Sequence, residues 1–138
     1  THSPMNIALI AHDSRKELLG QLCTAYVRIF SKHNLVATAV TGHFLHEATG
    51  LNITSLYPGS RGGAEQIAAK VACGEVDLLF FFRDPVNAKP SEPNDQFLLR
   101  QCDMYNIPVA TNIATAEVLI HGLENGDLDW LAALHHSG

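Results

Sequence analysis

The sequence predicts an α/β domain built on a mostly parallel five-stranded sheet. Two observations carry that expectation. Short continuous apolar runs alternate with segments whose apolar residues recur at helical spacing, and a polar cluster follows each apolar run. A chain of 138 residues holds one domain with one core. The pattern sets that single domain at residues 5–130, leaving 1–4 and about 131–138 as tails, with THSP and LHHSG read as vector-derived remnants.

NIALIA (Asn6 to Ala11) is the first expected strand, continuous enough to be covered on both faces. Leu18, Leu19, Leu22, Cys23, Tyr26, Val27 and Phe30 then recur at helical spacing. LVATAV (Leu35 to Val40) is a second strand ended by Thr41 and Gly42, and Phe44, Leu45 and Ala48 mark a short helix stopped at Gly50. NITSL (Asn52 to Leu56) is a third strand, running into the loop YPGSRGG. Ala64 to Cys73 is a helix with Gly74 as its stop. VDLLFFF (Val76 to Phe82), the most apolar stretch, is expected to be the central strand. The three prolines of RDPVNAKPSEPND require a loop. A helix through Leu98, Cys102 and Tyr105, a strand in IPVATN and a helix in ATAEVLIHGLENG complete the series.

Composition narrows the function. A net charge of −5 without a basic stripe argues against nucleic acid as a partner. No apolar run approaches the roughly 18–20 residues of a membrane span, and THSPM has no signal-peptide pattern, so a cytoplasmic location is expected. Cys23, Cys73 and Cys102 are odd in number, lack a CxxC pair and sit in helical patterns, as buried reduced thiols would. His33, His43, His46 and His121 lack metal-ligand spacing, so no metal is expected.

In sheets of this class ligands bind beyond the carboxyl ends of the strands. That edge collects His12 and Asp13, Thr41 and Gly42, Tyr57 to Gly63, Arg83 and Asp84, and Thr111 and Asn112. Gly59, Gly62 and Gly63 let backbone turn tightly against an anion, and the helix after them adds free N–H groups and its positive end. Ser60 adds a hydroxyl and Arg61 a charged fork. The loop is not a Walker A sequence, since GK[ST] is absent. Asp13 is expected to cap the first helix and Lys16 to reach back toward an anion. His12 closes a buried strand at the ligand edge. Asp84 ends the most apolar strand, where desolvation is expected to raise its proton affinity.

IALIAHDSRK, ATAVTG, ATGLNI, the double glycine before EQIAAKV, DLLFFFRDPVNAKP and NIPVATNIATAE together resemble the methylglyoxal synthase family, from Met5 to about Glu124. The resemblance implies a three-layer Rossmann-like domain, a hexamer, and neither metal nor organic cofactor. It implies a reaction in which dihydroxyacetone phosphate loses a carbon-bound proton, passes through an enediol phosphate and expels phosphate to give methylglyoxal. Lys16, Thr38, Thr41, Gly42, Gly59 and Gly63 match the family's phosphate cradle, and His12 and Asp84 its substrate-facing histidine and strand-end aspartate.

Four matched positions depart from the pattern. The family's loop reads S-G-P-x-G-G-D-x-Q, its aspartate being the catalytic base; here that position is Ala64, and Pro58 replaces the serine. The family's later P-H-[DE]-P-D reads Pro90-Ser91-Glu92-Pro93-Asn94, so Ser91 and Asn94 replace a histidine and a carboxylate. A positioned acid or base contributes about 10²–10⁴-fold in rate. Three functions remain open. The first two are a divergent lyase using Asp84 and His12 on a small phosphorylated ketose, and a non-catalytic phosphometabolite sensor, for which regulatory modules of carbamoyl-phosphate synthetases give a precedent. A different reaction on another phosphate ester is the third. The partner in each case is a small phosphorylated metabolite or inorganic phosphate.

Overall fold

The computed structural model describes residues 4–87, 89 and 95–136. Among these residues five parallel strands form one sheet: β1 (Asn6–Ala11), β2 (Asn34–Ala37), β3 (Thr54–Ser55), β4 (Leu78–Phe82) and β5 (Val109–Ala110), in the order β3-β2-β1-β4-β5. β1 is therefore the central strand, not β4 as the apolar content suggested. It pairs Leu9 with both Ala37 and Phe80, which requires a residue run buried on two faces and paired on two edges. β4 is equally buried but has only the two-residue β5 beyond it. Chain direction across the sheet reverses between β1 and β4, which makes their carboxyl ends the topological switch point.

Among the described residues seven helices flank the sheet: α1 (Lys16–Ala25), α2 (Val27–Phe30), α3 (Ala39–Thr49), α4 (Gly63–Ala72), α5 (Asp95–Met104), α6 (Ile113–Asn125) and α7 (Asp129–His136). Strand alternation divides the core between the two faces. Leu9, Phe80 and Phe82 pack with Leu19, Leu22, Leu45, Ala116 and Ile120 from α1, α3 and α6. Ile10 and Phe81 point the other way, against Ala64, Ile67 and Leu98 from α4 and α5.

Four expectations are corrected here. The second strand stops at Ala37, and Thr41 and Gly42 lie in the first turn of α3. Thr38 is the extended residue before that helix, Gly50 ends it in the left-handed conformation (φ 76°), and Val40 is 59% exposed, so no strand partner covers it. The third strand shrinks to Thr54 and Ser55, both exposed at the sheet's edge. Cys23 and Cys102 are buried, their thiols pushed up to about 12 by desolvation, but Cys73 is exposed just after α4. Residues 131–136, expected as part of a tail, belong to α7. Leu131 sits in the core, and the buried His135 ring bonds the Asp77 carboxylate through Nδ1 (3.0 Å) and the Asn106 carbonyl through Nε2 (2.9 Å). Among the described residues no helix is long and apolar enough to cross a membrane.

Candidate functional site

His12 follows β1 directly and is 2% exposed. Its backbone N–H donates to the Phe82 carbonyl (3.0 Å), continuing the β1–β4 ladder by one residue. The ring meets Phe81 edge to face, at 5.4 Å between centroids, so it lies on the α4 side of the sheet. Its Nδ1 accepts the backbone N–H of Asp84 at 2.9 Å. In the neutral ring that bond leaves the proton on Nε2, which is then a hydrogen-bond donor. The switch point is thus stitched together by the two residues that the sequence singled out as proton carriers.

The Asp84 carboxylate behaves otherwise than expected. Oδ1 accepts the backbone N–H groups of Asn87 (2.9 Å) and Val86 (3.0 Å), and Oδ2 accepts the Ser14 hydroxyl (2.8 Å). These bonds, the Asn87 one foremost, pull its pKa down to about 2. The expectation of a raised proton affinity is overturned. The carboxylate stays ionised and organises the turn after Pro85, so it is a weak base.

Asp13 does not cap the first helix, whose N-cap position makes no side-chain cap bond to the free N–H groups. Instead it pairs with Lys16 (2.7 Å) and more loosely with Lys89 (3.8 Å), the Lys16 hydrogen bond holding its carboxyl below the usual range. Lys16 also donates to the Ala11 carbonyl at 3.2 Å. Its ammonium is therefore anchored at the end of β1, one residue before His12.

The start of α3 and the start of α4 meet across the edge. Thr38 and Thr41 are buried at 3% and 1% exposure, and the Ala39 N–H donates to the Tyr57 carbonyl at 3.3 Å. Gly63 makes the closeness possible: a Cβ there would lie 2.2 Å from the Tyr57 oxygen and 2.8 Å from Thr38 Cγ2. Gly59–Arg61 form a 3-10 turn, Gly62 follows at φ 97°, and the Pro58 carbonyl accepts the N–H groups of both Arg61 and Gly63 at 2.9 Å. The N–H of Gly63 is thus spent inside the loop, and the residue serves through its missing side chain. Ser60 and Arg61 are exposed on the turn's outer surface. Two helix N-termini, with their positive ends, converge here.

Ala64, the second residue of α4, is 3% exposed and packs in the cluster that holds Ile10 and Phe81. Glu65 beside it is exposed. Ser91 and Asn94 lie outside the described residues, while Asp13, His12, Lys16, Thr38, Thr41, Gly42 and the glycine loop all gather at the carboxyl edge of β1 to β3. Among the described residues no group of three or more His, Cys, Asp or Glu is placed to hold a metal. Sequence reasoning missed Ser14 and Lys89, which hold Asp84 and Asp13. Ser14 had a signal in its position two residues past His12, on the same edge; Lys89 had none, lying mid-loop.

Comparison with known proteins gives the family. Residues 19–111 match the family described as MGS-like domain. The methylglyoxal synthase of Caldicellulosiruptor saccharolyticus is 54% identical over 126 residues, 91% of this chain and 89% of the relative. That of Alkaliphilus metalliredigens is 48% identical over 134 residues, 97% of this chain and all of the relative. The crystal structure of methylglyoxal synthase from Elizabethkingia anophelis superposes with a TM-score of 0.84 at 32% identity, covering 86% of this chain and 78% of that one. The chain belongs to the methylglyoxal synthase-like family.

Proposed function

We propose that the protein binds a small phosphorylated ketose of the dihydroxyacetone phosphate class, its phosphate held between the first turns of α3 and α4 and by Lys16. The support is geometric. Two helix N-termini, an anchored ammonium and the exposed face of the Gly59–Arg61 turn converge at one edge. His12 Nε2–H is the donor suited to the substrate's carbonyl oxygen, where negative charge develops as the enediolate forms.

The family reaction also needs a carboxylate to take the carbon-bound proton. Ala64 supplies none, and the strong hydrogen bonding of Asp84 depresses its basicity. We infer that the elimination to methylglyoxal and phosphate runs at least about 10²-fold below the rate a carboxylate at position 64 permits. The buried methyl of Ala64 is the observation that carries this reading. The same observation favours a second one, a phosphometabolite sensor that grips its ligand with backbone and releases it unchanged.

Phosphate release from dihydroxyacetone phosphate separates the two. Ala64→Asp is expected to raise turnover at least about 10²-fold over the parent chain. A parent as fast as Ala64→Asp overturns the argument from the missing base. Self-association, with a cytoplasmic location, completes the proposal: Val40 (59% exposed) and Tyr57 (62% exposed) stand beside the site, as side chains covered by a second copy would. Sedimentation showing only monomer would remove that part.

A further inference from the structure

The main chain of Tyr57 joins the two helix starts at the anion edge. Its carbonyl accepts the N–H of Ala39, the first residue of α3, at 3.3 Å. Its N–H donates to the side-chain oxygen of Gln66, Oε1, at 2.7 Å. A backbone N–H can be met only by the oxygen end of a carboxamide, so the Gln66 amide has one orientation here. Gln66 also closes the first turn of α4, its own N–H donating to the Gly62 carbonyl at 2.9 Å. One residue thereby ties the helix to both ends of the loop that runs from Tyr57 to Gly62.

Pro58 makes this tie matter more. Proline has no N–H, and the Pro58 carbonyl is already taken by Arg61 and Gly63. The N–H of Tyr57 is therefore the one main-chain donor of the Tyr57–Pro58 pair, and Gln66 holds it. Beyond them, the N–H groups of Gly59, Ser60 and Gly62 donate to no acceptor among the described residues. These donors are left for an oxyanion, and their directions follow from where the loop's entry is fixed. Donors held in place before a ligand arrives bind it more tightly, because ordering a loop on binding subtracts from affinity.

We propose that Gln66 is a positioning residue for this loop, its carboxamide oxygen acting through the Tyr57 N–H to aim the Gly59 to Gly62 donors at an oxyanion. The role rests on the phosphate site of the proposed function. Gln66 acts through the loop and moves no proton, so its loss weakens ground state and transition state alike. The signature is a raised KM with kcat nearly unchanged.

Three variants of the assembled protein test this, each checked by thermal melting. Gln66→Met keeps the length and the helix preference but has no acceptor. Gln66→Asn keeps the amide and falls one methylene short, and Gln66→Glu keeps an oxygen at full reach. Hydrogen–deuterium exchange at the Tyr57 amide reads the bond with no ligand present. It is expected to quicken about fivefold or more in Gln66→Met and Gln66→Asn, and to stay near the parent rate in Gln66→Glu. Titration with inorganic phosphate is expected to show about fivefold weaker binding in the Met and Asn variants. In Ala64→Asp protein, adding Gln66→Met is expected to raise KM for dihydroxyacetone phosphate by a like factor, with kcat held within about twofold. Tyr57 exchange unchanged in Gln66→Met overturns the clamp. Quickened exchange with phosphate affinity unchanged overturns the positioning role, as does a loss in kcat at unchanged KM. A parent that binds no phosphate overturns the proposed function and this role together, whereas equal binding by parent and Gln66→Met overturns this role alone.

Discussion

Gly63→Ala probes the joint on which the site depends. A methyl at position 63 would approach the Tyr57 carbonyl oxygen to 2.2 Å, and real Cβ contacts do not fall under 3.0 Å. Its neighbours are Tyr57 and Pro58 main chain and Thr38 Cγ2, so no flexible side-chain end is available to move aside. Either α4 must back away from the loop or the Tyr57 peptide must shift, and the second route loses the Ala39 N–H bond that ties α3 to the loop. Overpacking of this kind costs about 1–3 kcal/mol, and a lost backbone hydrogen bond about 0.5–1.5. The expected destabilisation is roughly 2–4 kcal/mol. Urea unfolding at fixed protomer concentration reads it as a lower midpoint with an unchanged slope, about 1–2 M for a slope near 2 kcal/mol/M. Phosphate affinity should fall as well, because α3 and α4 part. Gly50→Ala is the control: nothing lies within 4 Å of its added methyl, and only the φ of 76° is strained, at about 1 kcal/mol. If Gly63→Ala costs no more than Gly50→Ala, the close approach does not hold the site together.

Acid should act on the Asp84 turn. Its folded pKa of about 2 lies below the ordinary 3.8, so its contribution is present above about pH 4 and is lost as pH falls toward 2. Asp84→Asn keeps one oxygen for the Val86 and Asn87 N–H groups and should flatten that limb in melts between pH 5 and 2. An unaltered limb would show that these bonds set no proton linkage. Leu131→Ala should cost about 2–5 kcal/mol by urea unfolding, since the side chain is 2% exposed in the core. A cost under 0.5 kcal/mol would mean that the last helix is only loosely docked. His12→Gln keeps a donor but replaces the ring, and should reduce residual turnover more than phosphate affinity; equal losses in both would make His12 a binding group alone.

The strand and helix alternation was legible because parallel strands buried on both faces leave continuous apolar runs, as NIALIA and LLFFF do. Rank within the sheet was not, because it depends on crossover order: the apolar Val76–Phe82 run resembled a central strand, yet β1 holds that place. Thr38 to Gly42 misled for a related reason. Thr and Val favour strands, but the two-residue β3 gives no ladder to extend, and the chain turns helical at Ala39. At the site, the carboxyl-edge rule anticipated that His12, Lys16 and the glycine loop lie at one edge of the sheet. It failed on Asp84, where burial was inferred from the preceding Phe residues while the carboxylate itself turns back onto Ser14, Val86 and Asn87. Side-chain direction after a strand end is set by the following turn, which apolar pattern does not encode. The last helix was discarded on the look of LHHSG, although His135 bridges Asp77 and Asn106 over long sequence separations.

The account rests on main chain gripping the ligand independently of the side chains that move protons. A crystal of the parent protein soaked with dihydroxyacetone phosphate, with released phosphate assayed in the same mother liquor, tests it most directly. Intact substrate bound by its phosphate beside Gly59 to Gly62 and Thr41, with release at least about 10²-fold slower than from Ala64→Asp, is the predicted result. An empty edge in the soaked crystal, or rapid release by the parent, contradicts it.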